Sequence, residues 1–189
     1  MIDVPDLAGT TILSGAPSGR ELFAKLIAVL PSEPAAPEPL LLDFRRVEVA
    51  TASFLRESIL AFRTFVRGRR SNFYPAIANA SAEVTDEVME LVQPRGEVLM
   101  ACSTDEAGGI VVCRHIGRLD PVQQLTFDLV NEHGETTVND LMTMTNGDVK
   151  ATAWNNRLAS LSGLGLISEQ SRGRAKTYRP IFAGGCHGR

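Results

Sequence analysis

The sequence predicts two units in tandem. An α/β domain covers residues 1–117, an α+β domain of three helices and a β-hairpin covers 118–183, and a flexible tail follows at 184–189. Two observations carry this division. Up to Gly117, apolar runs of strand length alternate with segments of helical spacing, the pattern of a sheet with helical crossovers. After Gly117, three helical segments come in succession and two short strands close the chain around Arg172-Gly173-Arg174. The hydrophobic fraction of 44% is enough for each unit to bury a core.

In chain order, Thr10–Leu13 is a short β-like run and Ser14–Gly19 a turn. Leu22, Phe23, Leu26, Ile27 and Leu30 then recur at helical spacing, with Ser18 or Gly19 as the cap. Four prolines within Pro31–Pro39 mark an exposed connector. Leu40–Phe44 reads as a strand covered on both faces, because its apolar run is continuous. A second helix is predicted from about Ser53 to Arg67, where Arg67, Arg69 and Arg70 complement the C-terminal end of the helix dipole. Phe73–Asn79 is a third strand, weakened by Pro75, and Glu83–Val92 a third helix capped by Ser81. Val98–Cys102 and Ile110–Cys113 are the last strands of the first unit.

In the second unit, Pro121–His133 is amphipathic, with Asp120 as cap, Gly134 as stop and Leu125, Phe127, Leu129 and Val130 as packing positions. A short helix opens at Thr137 or Val138. Asn146-Gly147-Asp148 is a turn ending in an N-cap, and a third helix runs from Val149 to Ser162, stopped by Gly163-Leu164-Gly165. Leu166–Gln170 and Ala175–Arg179 are the hairpin strands.

Charge and cysteine narrow the function. The net charge of −3 does not mark a nucleic-acid binder as a whole, but Arg172, Arg174, Lys176 and Arg179 fall within eight residues free of acids. No apolar run approaches the length of a membrane span, and the N-terminus lacks a secretory pattern, so a cytoplasmic protein with no membrane contact is expected. Cys102 and Cys113 lie in apolar segments and read as core residues, while Cys186-His187 lacks the companions a metal site needs. No phosphate-binding glycine loop, nucleophile motif or metal-ligand spacing occurs. Neither an enzyme nor a cofactor or metal is therefore expected.

Along the third helix of the second unit, Val149, Trp154, Leu158 and Leu161 can face inward, leaving Lys150, Thr152, Asn155, Asn156 and Arg157 outward or at the edges. Asparagine can pair bidentately with adenine and arginine with guanine, while Arg172, Arg174 and Lys176 at the hairpin tip suit phosphates. The segment 152–167, ending in Leu161, Gly165, Leu166 and Ile167, resembles the recognition helix and following turn of bacterial winged helix-turn-helix transcription regulators. The resemblance implies that Asn155 and Asn156 face double-stranded DNA and that the protein acts as a homodimer on two half-sites.

In the first unit, Leu41–Leu55 places a buried strand, Asp43-Phe44, a connector, and then Thr51 and Ser53 at a helix start. This resembles the STAS fold of bacterial anti-sigma-factor antagonists, over roughly residues 8 to 116. The resemblance implies a sensing or docking domain. It also implies that Ser53 or Thr51 is either a regulatory phosphosite for a histidine-kinase-like ATPase or simply a helix cap. The antagonists' Asp-Ser-Ser-Gly would align with Thr51–Phe54, so the acid, one serine and the glycine are missing here. The combined expectation is a bacterial DNA-binding regulator with a STAS-like signalling domain; the rival is a protein–protein adaptor with no DNA contact.

Overall fold

The computed structural model describes residues 1–173 and 175–182; Arg174 and the tail, including Cys186, lie outside the described residues. The chain forms a mixed α/β structure around a mostly parallel five-stranded sheet. It opens with β1 (Ile2–Asp3), α1 (Val4–Ala8), β2 (Ile12–Leu13), α2 (Ala16–Ala28), β3 (Glu38–Asp43) and β4 (Val49–Ala50). A continuous helix follows as α3 (Ala52–Leu55), a π-helical turn (Arg56–Leu60) and α4 (Ala61–Gly68). Next come β5 (Phe73–Ala78), α5 (Ala82–Val92), β6 (Leu99–Thr104) and β7 (Ile110–Ile116). The C-terminal part consists of α6 (Pro121–His133), α7 (Val138–Met144), α8 (Ala151–Leu164), β8 (Ile167–Arg172) and β9 (Ala175–Pro180).

The main sheet has the order β1-β3-β5-β6-β7, parallel except for the antiparallel β6–β7 hairpin. Each parallel crossover moves one strand further in the same direction. Crossovers share one hand, so their helices all fall on one face of the sheet. Leu40, Leu42, Phe73, Ile77, Leu99 and Ala101 meet α2 to α5 in one core on that face. Residues of opposite parity, Tyr74, Ala76, Ala78, Met100, Cys102 and Cys113, point the other way. There they join Phe127, Val130, Leu141, Trp154, Leu158, Leu161, Tyr178 and Phe182 in a second core. The C-terminal helices thus cover the face that singly wound topology leaves bare, and both faces of the central strands are buried, as the unbroken apolar run at Leu40 predicts.

Several local expectations are corrected. α2 begins at Ala16, two residues before the expected cap, because Gly15 takes φ +81° and turns the chain into the helix early. Gly19 lies inside α2, where an added Cβ would sit 2.7 Å from the Phe54 carbonyl oxygen; it lets α2 press against the start of α3. The helix after β4 is capped by Thr51 rather than Ser53: the Thr51 hydroxyl accepts from Phe54 N–H at 3.4 Å. The short pieces β1, α1 and β4 lie in segments with no periodic pattern of their own. Pro75 is tolerated in a central strand because the ladder with β6 begins only at Ala76. The connector after α2 is held by Glu33, which accepts from the Ser71 hydroxyl at 2.9 Å and from Asn72 N–H. Its Ala36 and Pro37 form one wall of a cleft of about 620 Å³ against His133, Arg179 and Phe182. Among the described residues, no helix is long and apolar enough to cross a membrane.

Candidate nucleic-acid interface

The C-terminal helices owe their limits to caps that the sequence encodes. The Asp120 carboxylate accepts from Val122 and Gln123 N–H, and the Gln123 side chain accepts from Asp120 N–H in return. Thr137 and Asp140 repeat this box at α7. The Thr137 hydroxyl and N–H both donate to Asp140 and hold its carboxyl below its ordinary range. Between α7 and α8, Asn146 and Gly147 take φ of +51° and +76° in a tight turn. α8 then begins at Ala151 with Lys150 at its N-cap position, so the expected cap Asp148 stands outside the helix. The helix runs through Gly163 and ends at Leu164, with Gly165 in the left-handed conformation. Leu125, expected to pack, is 51% exposed; the inner face of α6 is formed by Thr126, Phe127 and Val130.

Trp154, Leu158 and Leu161 of α8 are fully buried. Lys150, Thr152, Asn155 and Asn156 are exposed, and Arg157 lies half-buried over the Trp154 ring at 4.8 Å. The Asn155 amide donates to the Ala151 carbonyl at 3.0 Å, so it rests on its own helix. α8 therefore presents a polar, exposed stripe of the composition expected from the sequence. The hairpin is tied to the segment after α6 by a pair of backbone bonds between Thr136 and Tyr178, each 2.9 Å. Burial and the neighbouring Glu169 carboxylate push the Tyr178 phenol up to about 12.

The hairpin's cations are not all free. Lys176 pairs with Glu169 at 2.7 Å, and Arg179 pairs with Glu135. Arg172 is the last residue of β8, and Arg174 lies outside the described residues. Lys176 and Glu169 also line a groove of about 390 Å³ with Arg67, Arg70, Tyr74 and Ser162, between the hairpin and the end of α4.

Sequence reasoning missed the role of Arg67. It is not a solvated helix-end arginine: its guanidinium lies 3.8 Å from the centre of the Tyr74 ring. It donates to the carbonyls of Ser71 (2.7 Å), Phe73 (3.2 Å) and Ser162 (3.4 Å), the last in the final turns of α8. The Tyr74 hydroxyl accepts from Glu169 N–H at 3.2 Å. Arg67 and Tyr74 thus fix both the C-terminal end of α8 and the root of the hairpin to the sheet. Nothing in the sequence marks the pair, because 95 residues separate each from its partner in the C-terminal part.

In the α/β part, the Thr51 hydroxyl accepts from Gly15 N–H at 3.3 Å as well as from Phe54, and lies 3.2 Å from the half-buried Ser53 hydroxyl. Asp43, 7% exposed, accepts from the Asn79 amide (2.9 Å) and Arg45 N–H (3.0 Å). Asn79 in turn accepts from Thr104 N–H at 2.8 Å. This network fastens the ends of β3, β5 and β6 together. Burial, with Asp43 nearby, pushes the Cys102 thiol up to about 11, which leaves it protonated and unreactive at neutral pH. Among the described residues, no group of three histidines, cysteines or carboxylates is placed to hold a metal ion.

No protein-family model matches this sequence, and no curated protein is significantly similar to it.

Proposed function

We propose that this chain is a DNA-binding transcription regulator whose C-terminal unit, of winged helix-turn-helix type, reads double-stranded DNA. Its α/β unit, STAS-like in element order, senses or docks a partner. The observation that carries this reading is the exposed stripe Lys150, Thr152, Asn155 and Asn156 on the third helix of a three-helix unit closed by a hairpin. Inward packing of Trp154, Leu158 and Leu161 holds that helix rigid, so the amides are presented on a fixed scaffold. The Arg67–Tyr74 joint gives the α/β unit a route to the same helix. A ligand or partner that shifts α4 moves the carbonyl that Arg67 grips at Ser162.

The test is binding of intact protein to genomic fragments at several salt concentrations. Specific binding is expected, with a salt slope of about −0.9 per phosphate contact. Asn155→Ala with Asn156→Ala should relax sequence preference by about 1–3 kcal/mol per lost bidentate pair. Changing Arg172, Arg174 and Lys176 to Ala should flatten the salt slope. Absence of binding at low salt retires the reading.

A second reading, a protein–protein adaptor for a histidine-kinase-like ATPase, is favoured by one specific observation. The ion pairs Lys176–Glu169 and Arg179–Glu135 neutralise hairpin charges that DNA would otherwise meet. Stable association with such an ATPase, altered by Ser53→Asp, together with no DNA binding, would select it.

A further inference from the structure

Cys113 lies in the middle of β7, 7% exposed, with its side chain in the second core. It is disulfide-bonded. The sequence holds three cysteines, Cys102, Cys113 and Cys186. Cys102 stands directly opposite Cys113 across the β6–β7 ladder, where a cross-strand bond would form, yet it is a free thiol. By elimination the sulfur joined to Cys113 is that of Cys186, which lies outside the described residues. Chain length agrees with this assignment. The described chain ends at Phe182, 1% exposed and packed in the same core as Cys113. Only Ala183, Gly184 and Gly185 separate Phe182 from Cys186, so Cys186 stands no more than about 14 Å from the Phe182 Cα.

We propose that Cys113 and Cys186 form a reversible disulfide that staples the end of the C-terminal unit to the edge strand of the main sheet. The bond closes a covalent ring over residues 113–186, which contains α6, α7, α8 and the hairpin. On closure the two thiols give up two protons and two electrons as one S–S bond forms. A low-molecular-weight disulfide takes them up and leaves as two thiols. The ring can open and reclose without refolding, because non-covalent contacts anchor both of its ends. Cys113 is held in the β6–β7 ladder and Phe182 in the second core. With the bond open, that core and the Arg67–Tyr74 joint carry the attachment, so the thiol–disulfide balance sets how firmly the C-terminal unit stays on the sheet. Cys102 is the competitor, since attack on the Cys113 sulfur would form a Cys102–Cys113 bond and release Cys186. Burial and the nearby Asp43 keep the Cys102 thiol protonated at neutral pH, which slows that exchange. The proposal does not depend on whether the chain binds DNA.

The test is intact-mass spectrometry of the full chain, equilibrated with oxidised glutathione and then alkylated in denaturant without reductant. One alkyl group per chain is expected, placed on Cys102 by peptide mapping. Dithiothreitol should raise the uptake to three, and re-oxidation should return it to one. The thermal midpoint is expected to fall by about 10 °C on reduction, because the ring no longer restricts the unfolded chain. Cys186→Ser should melt at the reduced value with or without dithiothreitol. Three alkyl groups on the oxidised chain, an alkyl group on Cys186, a disulfide-linked pair of chains, or failure to reclose would overturn the proposal. So would a midpoint that reduction leaves unchanged.

Discussion

Replacing Arg67 with alanine should loosen the joint between the sheet and the C-terminal helices. The guanidinium makes bonds of 2.7, 3.2 and 3.4 Å to three carbonyls and lies 3.8 Å above the Tyr74 ring. Bonds from a charged donor contribute about 1.5–3 kcal/mol each when well formed. Arg67 is half-buried and only the 2.7 Å bond is short, so about 2 kcal/mol is assigned to the three together. The ring contact adds about 1 kcal/mol, giving an expected loss of about 3 kcal/mol. Arg67→Lys should lose about half of that, since an ammonium keeps the charge but cannot fork between carbonyls on different segments. Urea unfolding followed by Trp154 fluorescence and by far-UV circular dichroism measures this. Trp154 is the sole tryptophan and sits in the second core, so fluorescence reports the C-terminal helices while dichroism reports the whole chain. The two probes should unfold together in the native protein, because that core is built from both parts of the chain. An Arg67→Ala protein within about 0.5 kcal/mol of native would refute the tie. So would separate transitions in the native chain.

Three other outcomes are expected. Trp154→Ala should cost about 3–5 kcal/mol by opening a cavity at a fully buried site, measured by urea unfolding followed by dichroism. Trp154→Phe should cost less than half of that, since the buried indole N–H has no hydrogen-bond partner to lose. Thr51→Ala should destabilise by about 1 kcal/mol and Ser53→Ala by less than half as much, because Thr51 holds the cap; equal effects in thermal unfolding would reverse that assignment. Asp140 is held below its ordinary value by Thr137, so it contributes stability above the unfolded value of about 3.8 that is lost as pH falls through the lower folded value. Asp140→Asn should therefore lower stability at neutral pH and flatten its decline below pH 4, as read from denaturation midpoints across pH.

Much of the fold was legible in the sequence because short-range chemistry encodes it. Pro121–His133 appears with its expected bounds, since Asp120, Pro121 and Gly134 satisfy or remove the orphan groups at its ends. Ser81 caps α5 as read, and the continuous apolar run at Leu40 predicted a strand covered on both faces. The outward stripe of α8 followed from the spacing of Trp154, Leu158 and Leu161 alone. Boundaries that depend on a single backbone conformation were not legible: Gly15 starts α2 early, and Asp148 yields the cap position of α8 to Lys150. Local sequence lists the residues able to cap but does not say which one the turn will place there.

Tertiary structure alone decided what covers the second face of the sheet. Strand parity in β5 shows that Tyr74, Ala76 and Ala78 share a face, but not that the helices after Gly117 fold back onto it. It also turned Arg67 from a helix-end cation into a joint, Leu125 from a packing residue into an exposed one, and Lys176 into a partner of Glu169. Each of these depends on contacts between segments far apart in the chain or on how whole elements pack. The periodicity that reveals a helix or strand reports which residues are neighbours within that element. The element's partner across space is set by the one arrangement that buries every apolar face at once.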